Sequence, residues 1–120
     1  MPLISIVDDD EGVRQALKSL IDSMGFRAEV FDSGEKFLNS PYLPQTDCLI
    51  ADVRMPGMSG LELQDRLSAA GCSIPIVFIS AHDDNEARAR GLRAGAIDFL
   101  QKPFSEDSLL GAISVGLDKS

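Results

Sequence analysis

Short apolar runs alternate with amphipathic segments along the whole chain, and that alternation leaves few folds open. Leu3-Ile4-Ser5-Ile6-Val7 reads as a first strand. From Glu11 to Met24, the residues Val13, Ala16, Leu17, Leu20, Ile21 and Met24 recur at helical spacing, and Gly25 follows where a helix cap is expected. Arg27 to Phe31 is a second, less apolar strand, expected at a sheet edge. A short helix starts near Ser33 and buries Phe37 and Leu38. Residues 40–46 hold Pro41 and Pro44 and read as a loop, because proline disfavours helix at the residue before it. Residues 48–52 form a third strand. Leu61 to Ala70 is a helix with Leu63, Leu67 and Ala70 on one stripe, closed by Gly71. Residues 74–79 are continuously apolar, as a buried parallel strand should be. Asp84 to Ala94 is a helix with a thin face (Ala87, Leu92, Ala94), and Gly91 weakens it by about 1 kcal/mol against alanine. Asp84 with Arg88 and Glu86 with Arg90 are acid-before-base pairs at i,i+4. Ile97 to Leu100 is the fifth strand. Ser105 caps a last helix whose apolar positions are Leu109, Leu110, Ile113 and Leu117.

Five strand–helix units in strict alternation call for an α/β fold, a parallel sheet with helices on both faces and right-handed crossovers. At 120 residues there is room for one such domain, and no repeat or internal linker divides it. Ligands of these folds bind outside the carboxyl ends of the strands. The informative residues are therefore the strand tips: Asp8-Asp9-Asp10, Asp32, Asp52, Ser80 and Lys102.

Composition narrows the function classes. The net charge is −8, from 11 basic and 19 acidic residues, which argues against the domain itself gripping nucleic-acid phosphates. No apolar run approaches the roughly 20 residues of a membrane span, and residues 3–7 are too short for a signal peptide, so a cytoplasmic location and no membrane partner are expected. Two cysteines, Cys48 and Cys72, read as reduced thiols.

The stretch Cys48-Leu49-Ile50-Ala51-Asp52 ends abruptly in a carboxylate, and a turn with Pro56, Gly57, Ser59 and Gly60 follows. With strands one and three adjacent, Asp8, Asp9 and Asp52 would converge, and three close carboxylates need a compensating cation. An oxygen-only cluster suits Mg²⁺ or Mn²⁺. A divalent cation, the Lys102 ammonium and the Ser80 hydroxyl around one free carboxylate suit a phosphoryl group, whose transfer asks mainly for positioning and electrostatics. Asp52 stands alone at its tip and is the candidate nucleophile, forming an acyl phosphate. Plainer readings coexist with these. Asp8 to Asp10 suit a helix N-terminus, Ser80 and Lys102 can be solvated strand-end residues, and Phe99 can be ordinary core. His82, the only histidine, reads as a loop residue without chemistry near the site mouth.

Taken together, Val7-Asp8-Asp9, Asp52 through Gly60, Ser80-Ala81, Ala94-Gly95-Ala96 and Lys102-Pro103-Phe104 resemble the receiver domain of two-component response regulators, over essentially the full chain. The detail of Arg54 to Gly60 and of Ala94 to Phe104 is similar to receivers that precede a helix-turn-helix DNA-binding domain, nitrogen-fixation and aromatic-degradation regulators included. The resemblance implies a flavodoxin-like, doubly wound, five-stranded parallel sheet in order 2-1-3-4-5 with five helices. It implies residues 1–120 as the receiver and a C-terminal DNA-binding domain beyond them, through which alone DNA would be contacted.

It also implies roles. Asp52 would accept phosphate from a sensor histidine kinase. Asp9, Asp52 and the Arg54 carbonyl would bind Mg²⁺, with Asp8 acting mainly through water. Lys102 would contact the phosphoryl group, and Lys102–Pro103 would be a cis peptide. Ser80 would swing toward the phosphate with Phe99 turned inward behind it. Ser80 stands where threonine is frequent and Phe99 where tyrosine is frequent. The α4–β5–α5 face (the fourth helix, fifth strand and last helix) would control homodimerisation and transcriptional output. A turnover enzyme of the Asp-nucleophile phosphohydrolase type is the competing reading; it needs a general acid where Arg54 stands, and a substrate pocket. A flavin carrier of the same fold class needs a phosphate loop where Asp8-Asp9-Asp10-Glu11 stands.

Overall fold

The computed structural model describes residues 1–81 and 83–119. His82 and Ser120 lie outside the described residues, and with them the reading of His82 as an idle loop residue. Strands β1 (Leu3–Val7), β2 (Arg27–Phe31), β3 (Cys48–Asp52), β4 (Ile76–Ser80) and β5 (Asp98–Gln101) pair in parallel in the order β2-β1-β3-β4-β5. Helices α1 (Glu11–Ser23), α2 (Gly34–Leu38), α3 (Gly60–Ala69), α4 (Asn85–Arg93) and α5 (Glu106–Lys119) follow the strands in turn. This is the expected doubly wound, flavodoxin-like sheet. The three most apolar strands, β1, β3 and β4, are buried along their whole length, while β2 and β5 form the half-exposed edges.

The two-residue period of a strand splits the core into two layers. Val7, Leu49, Ala51, Phe78 and Phe99 pack with Leu63, Leu67 and Ala87, on the α3 and α4 side. Ile4, Ile6, Ile50, Val77 and Ile79 pack with Leu17, Ile21, Leu109 and Ile113, on the α1 and α5 side. Continued by one step, the same parity puts Asp8 in the row of Ile6 and Asp52 in the row of Ile50. Lys102 continues the row of Leu100. The pleat alone thus aims two acids and one ammonium at the same end of the sheet.

Several expectations from periodicity are corrected. Ala16 on α1, Ala70 after α3, Leu92 and Ala94 at α4, and Leu110 on α5 are exposed rather than buried. Leu17, Ile21, Leu63, Leu67, Ala87, Leu109 and Ile113 are buried as expected, and Leu61, Gln64, Gly91, Ala112 and Gly116 join them. The fourth strand starts at Ile76, not Ile74: Pro75 offers its carbonyl to Leu49 N (2.9 Å) but has no N–H for the ladder. The fifth starts at Asp98, not Ile97, and a 3₁₀ turn over Leu43–Gln45 interrupts the expected loop. On α4 the charged side chains turn to neighbouring elements rather than to each other. Asp84 meets Arg54, Arg90 meets Asp65 of α3, and Arg88 donates to the Phe99 carbonyl at 3.3 Å.

Gly91 explains how so thin a helix packs. A Cβ there would lie 3.0 and 3.1 Å from the Phe78 ring, and its carbonyl accepts a buried 3.0 Å bond from Gln64 Nε2. The missing side chain lets α4 rest directly on the sheet. Gly91→Ala therefore sets about 1 kcal/mol of helix propensity against about 1–3 kcal/mol of overpacking. A net loss of about 1 kcal/mol is expected from urea unfolding; a stabilised variant would show that α4 has slack the geometry denies.

Candidate functional site

The site is built from four strand tips. Asp8 follows β1 and is fully buried. Its Oδ1 accepts the Asp10 amide at 2.9 Å, and its Oδ2 lies 3.4 Å from Lys102 Nζ. Asp9 beside it is exposed. Asp52 ends β3 with 9% of its surface exposed, and its Oδ1 accepts the Arg54 amide at a long 3.4 Å. One ligand oxygen from each of Asp8, Asp9 and Asp52 lies within 4.8 Å of the others. Lys102 Nζ stands 3.9 Å from Asp52 Oδ2, so one ammonium faces two buried carboxylates. Ser80 ends β4 and is 1% exposed, and its carbonyl accepts the Lys102 amide at 2.7 Å, which locks the tips of β4 and β5 together. The Lys102–Pro103 peptide is cis.

Burial dominates the electrostatics of Asp52. It raises the carboxyl from its ordinary value near 3.8 to about 6, with repulsion from Asp8 and Asp9 adding to the rise and Lys102 opposing it. One lysine does not balance three acids. The donors are all carboxylate oxygens and leave a negative excess, so the residues fit a hard divalent cation. Phe99 lies buried with its ring 6.4 Å from that of Phe78.

Of the residues singled out from sequence, the structure brings Asp8, Asp9, Asp52 and Lys102 into direct proximity, with Ser80 and the Arg54 backbone at the adjoining tips. The Arg54 side chain turns away, toward Asp84. Sequence reasoning missed Arg14, whose Nη1 donates to the Asp8 carbonyl at 2.9 Å and so pins the loop that carries the acids. Its one available signal is its place a single turn after the Asp10 cap. A groove of 610 Å³ lies beside the site, lined by Val53 to Gly57, Ser59, Leu61, Glu62, Asp84 and Ala87. None of the three acids lines it.

A sequence profile described as the response regulator receiver domain matches residues 4–114. The chain belongs to the response regulator receiver family. It is 50% identical over 115 residues to the response regulator protein TmoT of Ectopseudomonas mendocina, covering 96% of this chain and 52% of that protein. It is 38% identical over 110 residues to the transcriptional regulatory protein FixJ of Bradyrhizobium diazoefficiens, covering 92% and 54%. The solved response regulator StyR superposes with a TM-score of 0.90 at 50% identity, over 98% of this chain and 59% of that one. The chain spans about half the length of these curated relatives. Receiver domains are signalling switches of two-component systems rather than turnover enzymes, and of these relatives FixJ is named a transcriptional regulatory protein. Among the described residues no helix is long and apolar enough to cross a membrane.

Proposed function

We propose that this receiver is switched by phosphorylation of Asp52. The observation that carries the reading is the convergence of Asp8, Asp9 and Asp52 within 4.8 Å, with Lys102 between two of them. The Asp52 carboxylate attacks the phosphorus of a phosphohistidine on a sensor kinase. An O–P bond forms, the N–P bond breaks, and the histidine nitrogen leaves with its electron pair and takes up a proton. Lys102 moves from its carboxylate partners to a phosphoryl oxygen, and the Ser80 hydroxyl donates to another. Asp9, Asp52 and the Arg54 carbonyl would hold Mg²⁺ or Mn²⁺, with Asp8 acting through water; the bound ion supplies charge compensation for the phosphoryl oxygens.

Output runs through α4, β5 and α5. A phosphoryl group adds up to about two negative charges, and α4 is the helix least anchored by apolar side chains, with Ala87 its one buried side chain. Its shift, with Ser80 and Phe99 as the switching pair, remodels a face that carries Arg88, Arg90 and Arg93 on α4 and exposed Leu110 and Val115 on α5. That face forms the homodimer after phosphorylation. DNA is reached only through a separate C-terminal domain beyond the receiver.

The test is direct. Incubation with Mg²⁺ and acetyl phosphate should add one phosphoryl group by intact mass, and EDTA should prevent it. Repeated turnover of a phosphoester with no trapped adduct would instead support the phosphohydrolase reading.

A further inference from the structure

A single carboxylate, that of Asp84, serves two masters. Its Oδ1 accepts the Ala87 amide at 3.0 Å and so caps α4, while its Oδ2 accepts Arg54 Nη2. Arg54 in turn gives its backbone amide to Asp52 Oδ1. An unbroken set of polar links therefore runs from the candidate phosphoacceptor, through Arg54 and Asp84, into the first turn of α4. The link spans 30 residues of sequence and bridges the open groove between the turn after β3 and the start of α4. The Arg54 side chain is 61% exposed, so its guanidinium is not packed in place and has room to move.

Competition for that guanidinium is set by charge. Asp84 offers one carboxylate. A phosphoryl group on Asp52, two residues from Arg54, would offer up to about two charges and three acceptor oxygens, and a planar guanidinium matches phosphate bidentately. On the reading of Asp52 as phosphoacceptor, we propose that Arg54–Asp84 is a latch that ties α4 to the phosphoacceptor turn in the unmodified protein, and that Arg54 leaves Asp84 for the phosphoryl oxygens when Asp52 is modified. The helix keeps its cap, because Asp84 Oδ1 still receives the Ala87 amide. What it loses is its tether to the turn after β3; Ala87 is the one buried side chain of its first turn, Arg88 ties that turn to the Phe99 carbonyl of β5, and Arg90–Asp65 and Gln64–Gly91 act nearer its end.

Hydrogen exchange of the α4 amides tests the latch in wild type, Asp84→Asn, Arg54→Gln and the double variant, each with and without Mg²⁺ and beryllofluoride. Asparagine caps as well as aspartate does, so Asp84→Asn removes the ion pair and leaves the helix. Without beryllofluoride, first-turn amides should exchange about 3- to 5-fold faster in each single variant, the scale of one exposed ion pair. The double variant should be no faster than either single one. Beryllofluoride should accelerate the wild type by a similar factor and Asp84→Asn hardly further. Single variants that exchange like wild type, additive effects, or an undiminished beryllofluoride response in Asp84→Asn would overturn the latch. Protection changes at residues 52–54 on adding beryllofluoride separate the two readings. If they appear while α4 is unmoved, the latch alone fails; if they are missing in wild type, the phosphoacceptor reading fails and takes the exchange of partners with it.

Discussion

Asp52→Asn is expected to abolish phosphoryl uptake completely while making the metal-free protein more stable at pH 8 than the wild type. The first half follows from chemistry: the amide has no anionic oxygen to attack phosphorus, and neither Asp8 nor Asp9 stands in its place. Asp8 is fully buried against Lys102 and the Asp10 amide, and Asp9 sits at the exposed rim. The second half follows from electrostatics. Burial and the two neighbouring acids raise Asp52 from 3.8 to about 6, so the fold disfavours the ionised group. A tenfold change in an ionisation equilibrium is about 1.4 kcal/mol, so the penalty at high pH is bounded at about 3 kcal/mol, and about 1–2 kcal/mol is expected after local relaxation.

The sign fixes the pH window. Below pH 3.8 Asp52 is protonated in both folded and unfolded chains and costs nothing. Between 3.8 and about 6 the unfolded chain loses the proton while the folded one keeps it, so the contribution of this group falls as pH rises. Above about 6 the penalty is complete and flat. Urea unfolding in EDTA should therefore show the advantage of Asp52→Asn growing from pH 4 to pH 7 and vanishing at the acid end. Millimolar Mg²⁺ should stabilise the wild type at pH 8 far more than the variant. A constant advantage at every pH would mean that asparagine helps through packing and not through the removed charge.

The parts legible in the sequence are those where residue type alone decides placement. Continuous apolar runs at 48–51 and 76–79 are buried on both faces of a sheet in any arrangement, and an acid or lysine at the end of such a run can only sit at a tip. That is why the positions of Asp8, Asp52 and Lys102 could be read, and why the family resemblance rests on them. Alanines were the weak point. Ala16 and Ala94 fit an apolar stripe, yet a methyl group gains too little by burial to set the helix rotation, and both lie exposed. Leu92 and Leu110 carried the same ambiguity at the rim of their stripes. Long-range polar pairing was not legible at all. Asp84 looked like a partner for Arg88 one turn on, but the β3 turn brings Arg54 to it across 30 residues. The elevated titration of Asp52 depends on burial that only the packed fold supplies.

The same packed fold makes one small residue decisive for the site, and Gly60→Ala should be the most damaging single methyl in the protein. Gly60 opens α3, its amide bonds to the Val53 carbonyl at 2.9 Å, and Ser59 caps the helix in a reciprocal box with Glu62. A Cβ on Gly60 would fall 2.3 Å from the Asp52 carbonyl oxygen, 3.1 Å from its carbon and 3.2 Å from the Phe78 ring. The near atoms are backbone, so no rotamer change relieves the clash. Either α3 lifts from the sheet or the tip of β3 bends, and the second path displaces Asp52 relative to Asp8 and Lys102. A stability loss of about 2–4 kcal/mol is expected, at or above the usual range for overpacking because backbone must move. Acetyl phosphate labelling should slow by at least about tenfold, since site chemistry tolerates little misplacement. Ser59→Ala separates the two effects. It removes a cap worth about 1 kcal/mol from the same helix without touching Asp52, so it should lower stability and leave the labelling rate near that of wild type. If Gly60→Ala labels at the wild-type rate, α3 yields and β3 does not, and the tight start of α3 serves packing alone.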